Sequence, residues 1–240
     1  MRITGGEFCG RNLAVPKSDA IRPTQDRVRE SVFAMLAPEI AEVDFLDLFA
    51  GSGSVGLEAL SRGAKRATFI EASVKHIKSL KTNLDTILKG DVAARSEVVV
   101  CDAYRWISRY CGEGFHIAFA DPPYALGEEK GYASVLATLA ERGVVRPGGL
   151  FVAEMTAVQR AEETPGWELI RDRVYGKTRI CIWRKDDEDR TEFRIVIYTS
   201  AGMPGAAVQL FPVHTIRNAD TSAGYDSLCA TDCEHNRMHV

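Results

Sequence analysis

The chain has 240 residues, enough for one well-buried α/β domain with some chain to spare. Hydrophobic residues make up 45% and charged residues 26%, which excludes a disordered or fibrous chain, and no apolar run approaches the roughly 20 residues of a membrane-spanning helix. The formal net charge of −3 is unevenly spread: residues 186–240 hold nine acids against four bases, leaving 26 bases, 24 acids and a net of +2 in residues 1–185. A mildly basic main segment leaves RNA open as a partner, because phosphate contacts depend on local clusters of base. The six scattered cysteines do not form the dense pattern of a secreted disulfide scaffold. The opening residues Met1–Gly6 have no apolar signal core, so a reduced, cytoplasmic protein without a membrane partner is expected.

Residues 1–20 carry Gly5-Gly6, Gly10 and Pro16 between short apolar stretches and read as a small β element or hairpin with Arg2, Arg11 and Lys17 on it. Thr24 can cap a helix whose apolar face is Val28, Val32, Phe33 and Leu36, closed by Pro38. Arg22, Arg27 and Arg29 lie at or near its start.

From Val43 the pattern becomes strand, loop, helix, repeated. Strands are expected over Val43–Phe49, Ala67–Glu71, Glu97–Cys101, His116–Ala120 and Leu150–Met155. Helices are expected over Val55–Arg62, Val74–Leu88, Tyr104–Tyr110 and Tyr132–Arg142. Arg146-Pro147-Gly148-Gly149 leads into the fifth strand, and Trp167–Tyr175 with Thr178–Arg184 forms a hairpin through Gly176-Lys177. The alternation predicts an α/β fold with a mostly parallel seven-stranded sheet, helices on both faces and an antiparallel strand at one edge. Residues 1–40 form an N-terminal β/α extension to a domain over 41–185. Residues 186–240 form an acidic tail, expected to be loosely attached, with one more strand over Phe193–Tyr198.

The first strand runs into Asp47-Leu48-Phe49-Ala50-Gly51-Ser52-Gly53. Gly51 and Gly53 let the backbone turn and a ligand approach it closely, beyond the carboxyl ends of the strands. An acid just before the loop repels a pyrophosphate and suits a cation. That favours S-adenosylmethionine, with its ammonium and sulfonium, over a dinucleotide. Glu71, about 20 residues after the loop, stands where a carboxylate can accept from two ribose hydroxyls. Asp102, with Ala103 beside it, stands where it can reach an adenine amino group. Each acid could instead cap the next helix, but three acids at successive strand ends favour the ligand.

Asp121-Pro122-Pro123-Tyr124 ends the fourth strand. The prolines stiffen the backbone and remove its donors. The Asp121 carboxylate and the Pro122 carbonyl can together hold both hydrogens of an exocyclic amino group, with its lone pair aimed at a methyl carbon. Asp121 can stabilise the positive charge that grows on nitrogen, and Tyr124 offers a ring for the base to stack on. The residues thus point to a methyltransferase acting on an amino nitrogen of a nucleic-acid base.

The chain resembles the class I methyltransferases with a Rossmann-like fold, and within them the bacterial small-subunit ribosomal RNA guanine-N2 methyltransferases called RsmD. Arg2-Ile3-Thr4-Gly5-Gly6 with Gly10-Arg11-Asn12-Leu13 carries the resemblance. So do Arg22-Pro23-Thr24, Asp26-Arg27-Val28-Arg29-Glu30, the glycine loop continued through Gly56–Ala64, and Asp121–Tyr124. It covers about residues 1–185. It implies a guanine of 16S rRNA as substrate, within an assembled or partly assembled small subunit, and a monomeric enzyme. It also implies Arg22 and Thr24 near the methionine end of the cofactor, and Arg11, Arg27 and Arg29 on RNA. Cys9 and Ala34 depart from the family pattern, where arginine and asparagine are more usual. Competing readings are an adenine-N6 or protein-glutamine methyltransferase, or an RNA-binding assembly factor without catalysis. Cys229, Cys233, His235 and His239 have spacings that match no common zinc module, so no metal is expected.

Overall fold

The structure, a computed structural model, describes residues 1–15, 23–122, 132–161, 163–187, 194–195 and 210–211, with the backbone alone in residues 23–25, 194–195 and 210–211. It divides into two units, Met1–Asp186 and Asp187–Val240. The strands of the first unit are β1 (Asp44–Asp47), β2 (Arg66–Glu71), β3 (Ser96–Val100), β4 (Phe115–Ala120), β5 (Val145–Thr156), β6 (Trp167–Tyr175) and β7 (Thr178–Lys185). Its helices are α1 (Pro23–Leu36), α2 (Ser54–Ser61), α3 (Val74–Leu88), α4 (Val92–Arg95), α5 (Ala103–Ser108) and α6 (Tyr132–Glu141). In the second unit, β8 (Arg194–Ile195) pairs antiparallel with β9 (Leu210–Phe211).

The seven strands lie in the order β3-β2-β1-β4-β5-β7-β6. β1 to β5 are parallel. The hairpin returns β7 against β5, antiparallel over Leu150–Thr156, so the antiparallel strand stands one place inside the sheet and β6 takes the edge. Exposed Glu168, Arg171 and Arg173 on β6 hinder pairing with another chain at that edge. The winding reverses between β1 and β4, and a crevice forms at such a reversal beyond the strand ends.

Central strands are covered on both faces, which is why they read as near-continuous apolar runs. One core layer joins Val28, Val32, Phe33 and Leu36 of α1 with Leu57 and Leu60 of α2, Leu80 and Leu84 of α3, and Phe45, Phe69, Phe119 and Val152 of the sheet. The other joins Ile107 of α5 and Leu136 and Leu139 of α6 with Leu46, Ile70, Phe151 and Trp183. Two features escape the sequence pattern. The single turn α4 precedes β3, and β5 begins at Val145, running through Pro147-Gly148-Gly149. There its pairing with β4 slips from Phe115↔Val145 to Ile117↔Leu150, so the segment expected to lead into the strand is a bulge within it.

The N-terminal arm folds on itself through the Arg2↔Asn12 bridge and buries Ile3, Phe8 and Leu13 in the first core layer. Gly6 has φ +78°, and a Cβ there would run into the carbonyl of Ser61 at the end of α2; only glycine permits this approach. Beneath the arm lies the fully buried Glu58 carboxylate. It accepts from the Thr4 amide at 2.8 Å and the Thr4 hydroxyl at 2.7 Å, and pairs with Arg29 at 3.3 Å and Arg62 at 2.8 Å. Arg29 also donates to the Arg2 carbonyl and to Asp26.

Candidate active site

The glycine loop is stitched to both neighbouring strands. The Leu48 amide donates to the Phe119 carbonyl at 2.9 Å and the Ala50 amide to the Ile70 carbonyl at 3.0 Å. Gly53 turns the chain with φ +82° into α2, where a side chain would strike Leu80. Asp47 lies beneath the loop, 1% exposed, and its carboxylate accepts from the Gly56 amide at 3.0 Å. The acid before the loop therefore sets the loop's shape from below. Burial raises its pKa from the ordinary 3.8 to about 7, partly offset by the Gly56 amide and reinforced by the negative charges of Asp121 and Glu71.

Glu71 at the end of β2 accepts from the Gly51 amide and the Ser73 amide, both at 2.7 Å. It thus holds the turn that leads into α3 and also grips the loop. His76 approaches it at 3.6 Å. A carboxylate with two such bonds still has acceptor capacity. Asp102 caps α5, accepting from the Arg105 amide at 2.9 Å, and Ala103 begins that helix, buried. Phe49 leaves the loop to pack edge-on to Tyr104, ring centres 5.8 Å apart. Ala50 is buried. These backbone bonds, a cap at Asp102 and a loop tie at Glu71, are compatible with ligand binding, since each uses only part of the carboxylate.

Asp121 is exposed just beyond β4, and Pro122 after it is buried. Asp121 opens onto a cavity of about 80 Å³, walled by Phe119 of β4, Ser54 and Val55 of α2, Val28, Val32 and Phe33 of α1, and Met1. Arg29 and Glu154 complete the lining. Glu154 escaped the sequence reading, although a lone acid inside the apolar run Leu150–Met155 was a signal for it. Burial raises its pKa from 4.5 to about 8, with the negative charge of Asp121 adding to the effect and a hydrogen bond from Thr178 opposing it.

Arg29 requires a correction. It was expected on RNA, but it is 5% exposed and its guanidinium is held by Glu58, Asp26 and the Arg2 carbonyl; it clamps the N-terminal arm. Arg11 and Arg27 are exposed, with Arg11 over the Phe8 ring at 5.4 Å. Arg22, Pro123, Tyr124 and the Thr24 side chain lie outside the described residues, as do the tail cysteines and histidines.

Glu71, Asp102 and Asp121 stand at or just beyond the ends of β2, β3 and β4, with Asp47 buried beneath the loop at the end of β1. The repulsion among these acids is relieved by a cationic ligand and worsened by a pyrophosphate, so Glu71, Asp102 and Asp121 form a donor set that fits S-adenosylmethionine. Strand order, loop and crevice define a class I methyltransferase, the class whose methyl donor is S-adenosylmethionine.

Comparison with known proteins narrows this. A family model described as Conserved hypothetical protein 95 matches residues 1–184, and the chain belongs to that family. It is similar to Ribosomal RNA small subunit methyltransferase D of Escherichia coli K12, 35% identical over 195 residues, 80% of this chain and 93% of the relative. Its counterpart in Haemophilus influenzae is 33% identical over 177 residues, 73% of this chain and 89% of the relative. Among solved structures, yhhF from Escherichia coli, described as a methyltransferase, matches with a TM-score of 0.68 at 35% identity, covering 78% of this chain and 99% of that one. Among the described residues no helix is long and apolar enough to cross a membrane.

Proposed function

We propose that the chain transfers a methyl group from S-adenosylmethionine to the exocyclic N2 of a guanine in 16S rRNA. The substrate is the RNA within an assembled or partly assembled small subunit, and the chain acts as a cytoplasmic monomer. The observation that carries the reading is the position of Asp121, which stands beyond β4 at the mouth of a cavity bounded by the start of α2, directly after the glycine loop. Relatives named for small-subunit rRNA methylation support the choice of RNA.

When bound, S-adenosylmethionine supplies a methyl carbon made electrophilic by its sulfonium. The loop from Phe49 through Gly53, held from below by Asp47, lets that cofactor lie against backbone. Glu71 takes its ribose hydroxyls, Asp102 with Ala103 its adenine, and Arg22 with Thr24 its methionine end. Asp121 and the Pro122 carbonyl accept the two hydrogens of guanine N2, which turns the nitrogen lone pair toward the methyl carbon. With the cofactor bound, the N–C bond would form as the sulfonium S–C bond broke; the Asp121 carboxylate would stabilise the positive charge growing on N2 and then accept the N2 proton that the methylated product loses. Pro123 keeps the segment stiff and Tyr124 stacks on the base. Exposed Arg11 and Arg27 take RNA phosphates. The catalytic work lies in residues 41–185, with residues 1–40 as an extension over the base and residues 186–240 as a tail without a part in it.

The test is a single-turnover assay on small-subunit particles and on free 16S rRNA, with products identified by nucleoside mass spectrometry. Wild type should yield N2-methylguanosine. Asp121→Ala should lower the rate by about a hundred- to a thousandfold and leave S-adenosylmethionine affinity nearly unchanged. Methylation by Asp121→Ala at the wild-type rate would remove Asp121 from the chemistry.

A further inference from the structure

We propose that Glu154 is the guanine-reading residue of this site: its carboxylate accepts the N1–H of the target base while Asp121 holds the neighbouring N2 amino group. The inference rests on the guanine-N2 reading above. The sheet register sets the two acids side by side. Ala120 of β4 pairs with Ala153 of β5, so Asp121 and Glu154 are the next residues on adjacent parallel strands, and both line the same cavity. Alternation along β5 puts Glu154 on the face of Leu150 and Val152, which belong to the core layer under α1.

The position is held firmly. The Tyr132 hydroxyl donates to the Glu154 carbonyl at 2.7 Å, and the Thr178 side chain hydrogen-bonds its carboxyl. Of the remaining lining, Met1, Val28, Val32, Phe33, Val55 and Phe119 are apolar, and Ser54 and Arg29 are polar, with the Arg29 guanidinium engaged by Glu58, Asp26 and the Arg2 carbonyl. A carboxyl there is costly to ionise, and such a group is retained where a ligand uses it. Guanine presents N2–H and N1–H as adjacent donors on one edge, and two neighbouring carboxylates are the complementary acceptor pair. Adenine carries no hydrogen on N1, so above about pH 8, where Glu154 is ionised and can only accept, it would face a lone pair and reject that base. A buried acceptor left without its donor discriminates strongly against the wrong base. The same pair of acids therefore combines positioning of the nucleophile with choice of the base.

The experiment uses a small-subunit RNA fragment with guanine, or 2-aminopurine in its place, at the methylated position. 2-Aminopurine keeps the N2 amino group and lacks N1–H. Wild type should prefer guanine in kcat/KM by about a hundredfold or more. Glu154→Gln, nearly the same shape, should lower the rate on guanine and cut that preference at least about tenfold, with thermal unfolding showing that the variant is folded. If Glu154→Gln methylates neither RNA, competition binding decides, with inosine RNA, which has N1–H and no N2, against 2-aminopurine RNA. The variant should then shift toward 2-aminopurine by at least about fivefold relative to wild type. A variant that keeps the wild-type preference in rate, or in binding where it is inactive, overturns the role of Glu154. Wild type that fails to methylate the guanine RNA at all overturns the guanine-N2 reading instead, and the inference with it.

Discussion

Glu58→Ala should unfasten the N-terminal arm and cost a large part of the chain's stability. The carboxylate is fully buried, and it pairs with Arg29, which is 5% exposed, and Arg62, which is 19% exposed. Removing one partner of a buried ion pair leaves uncompensated charge in a low-dielectric site and costs about 3–5 kcal/mol. Thr4 loses the acceptor for both its amide and its hydroxyl at the same time. For a domain of this size each kcal/mol moves the melting temperature by about 2–4 °C, so a fall of about 6–20 °C is expected. The assay is reversible thermal or urea unfolding of Glu58→Ala, with Arg29→Met/Glu58→Leu as a companion. The double variant replaces part of the ion cluster by apolar groups of similar volume and should lose less than Glu58→Ala and Arg29→Met summed. A fall of under about 1 kcal/mol for Glu58→Ala would mean that the arm is held by its apolar residues alone and would refute the clamp.

Two further outcomes follow from buried acids and from the chain's two units. The folded protein raises Asp47 to about 7 and Glu154 to about 8, so both keep protons that the unfolded chain has already released above about pH 4–5. Their contribution to stability is therefore full at low pH and is lost as pH rises through 7 and 8, by up to about 1.4 kcal/mol per pH unit for each group. Urea midpoints between pH 5 and 8 should fall with pH and flatten in Asp47→Asn; an equally steep profile in that variant would refute the assignment. A chain ending at Asp187 should stay soluble, melt within about 2 °C of the full chain and methylate at the same rate. The last tie of the first unit is made by the Asp186 amide, which donates to the Gly166 carbonyl at 3.0 Å. Insoluble product would show that the tail supports the fold.

The periodic parts of the fold were legible because burial imposes period. α3 spans Val74–Leu88 as its apolar spacing required, and Glu71 and Asp121 fall at the ends of β2 and β4 as expected. What was not legible depends on distance in space. Arg29 looks like any surface arginine until Glu58, 29 residues away, is seen beneath it. Asp47 reads as a ligand contact in sequence, yet its carboxylate is turned under the loop to Gly56. Glu154 has no motif around it, and its meaning comes from the register that sets it beside Asp121. The start of β5 is expected only at Leu150 because Pro147-Gly148-Gly149 has turn chemistry whether or not a strand passes through it.

The cavity has walls of two origins, and this separates two kinds of failure. The sheet contributes Phe119, Asp121 and Glu154, while α1 and the arm contribute Val28, Arg29, Val32, Phe33 and Met1. α2 joins the two: its first turn supplies Ser54 and Val55 to the cavity, and its last turn supplies Glu58 and Ser61, with Arg62 just beyond it, to the arm. The acids proposed for the cofactor hang on the strand ends and on the loop, none of them on the arm. Loosening the arm should therefore open the base side of the cavity and leave the ribose and adenine side of the cofactor site in place, touching the cofactor only through Arg22 and Thr24. Glu58→Ala, assayed below its lowered melting temperature, should lose most of its rate on RNA while its S-adenosylmethionine affinity falls far less, by no more than the share held by Arg22 and Thr24 of the same extension. Equal loss of both would show that the arm holds the glycine loop itself, through α2, and that the two walls are one mechanical unit.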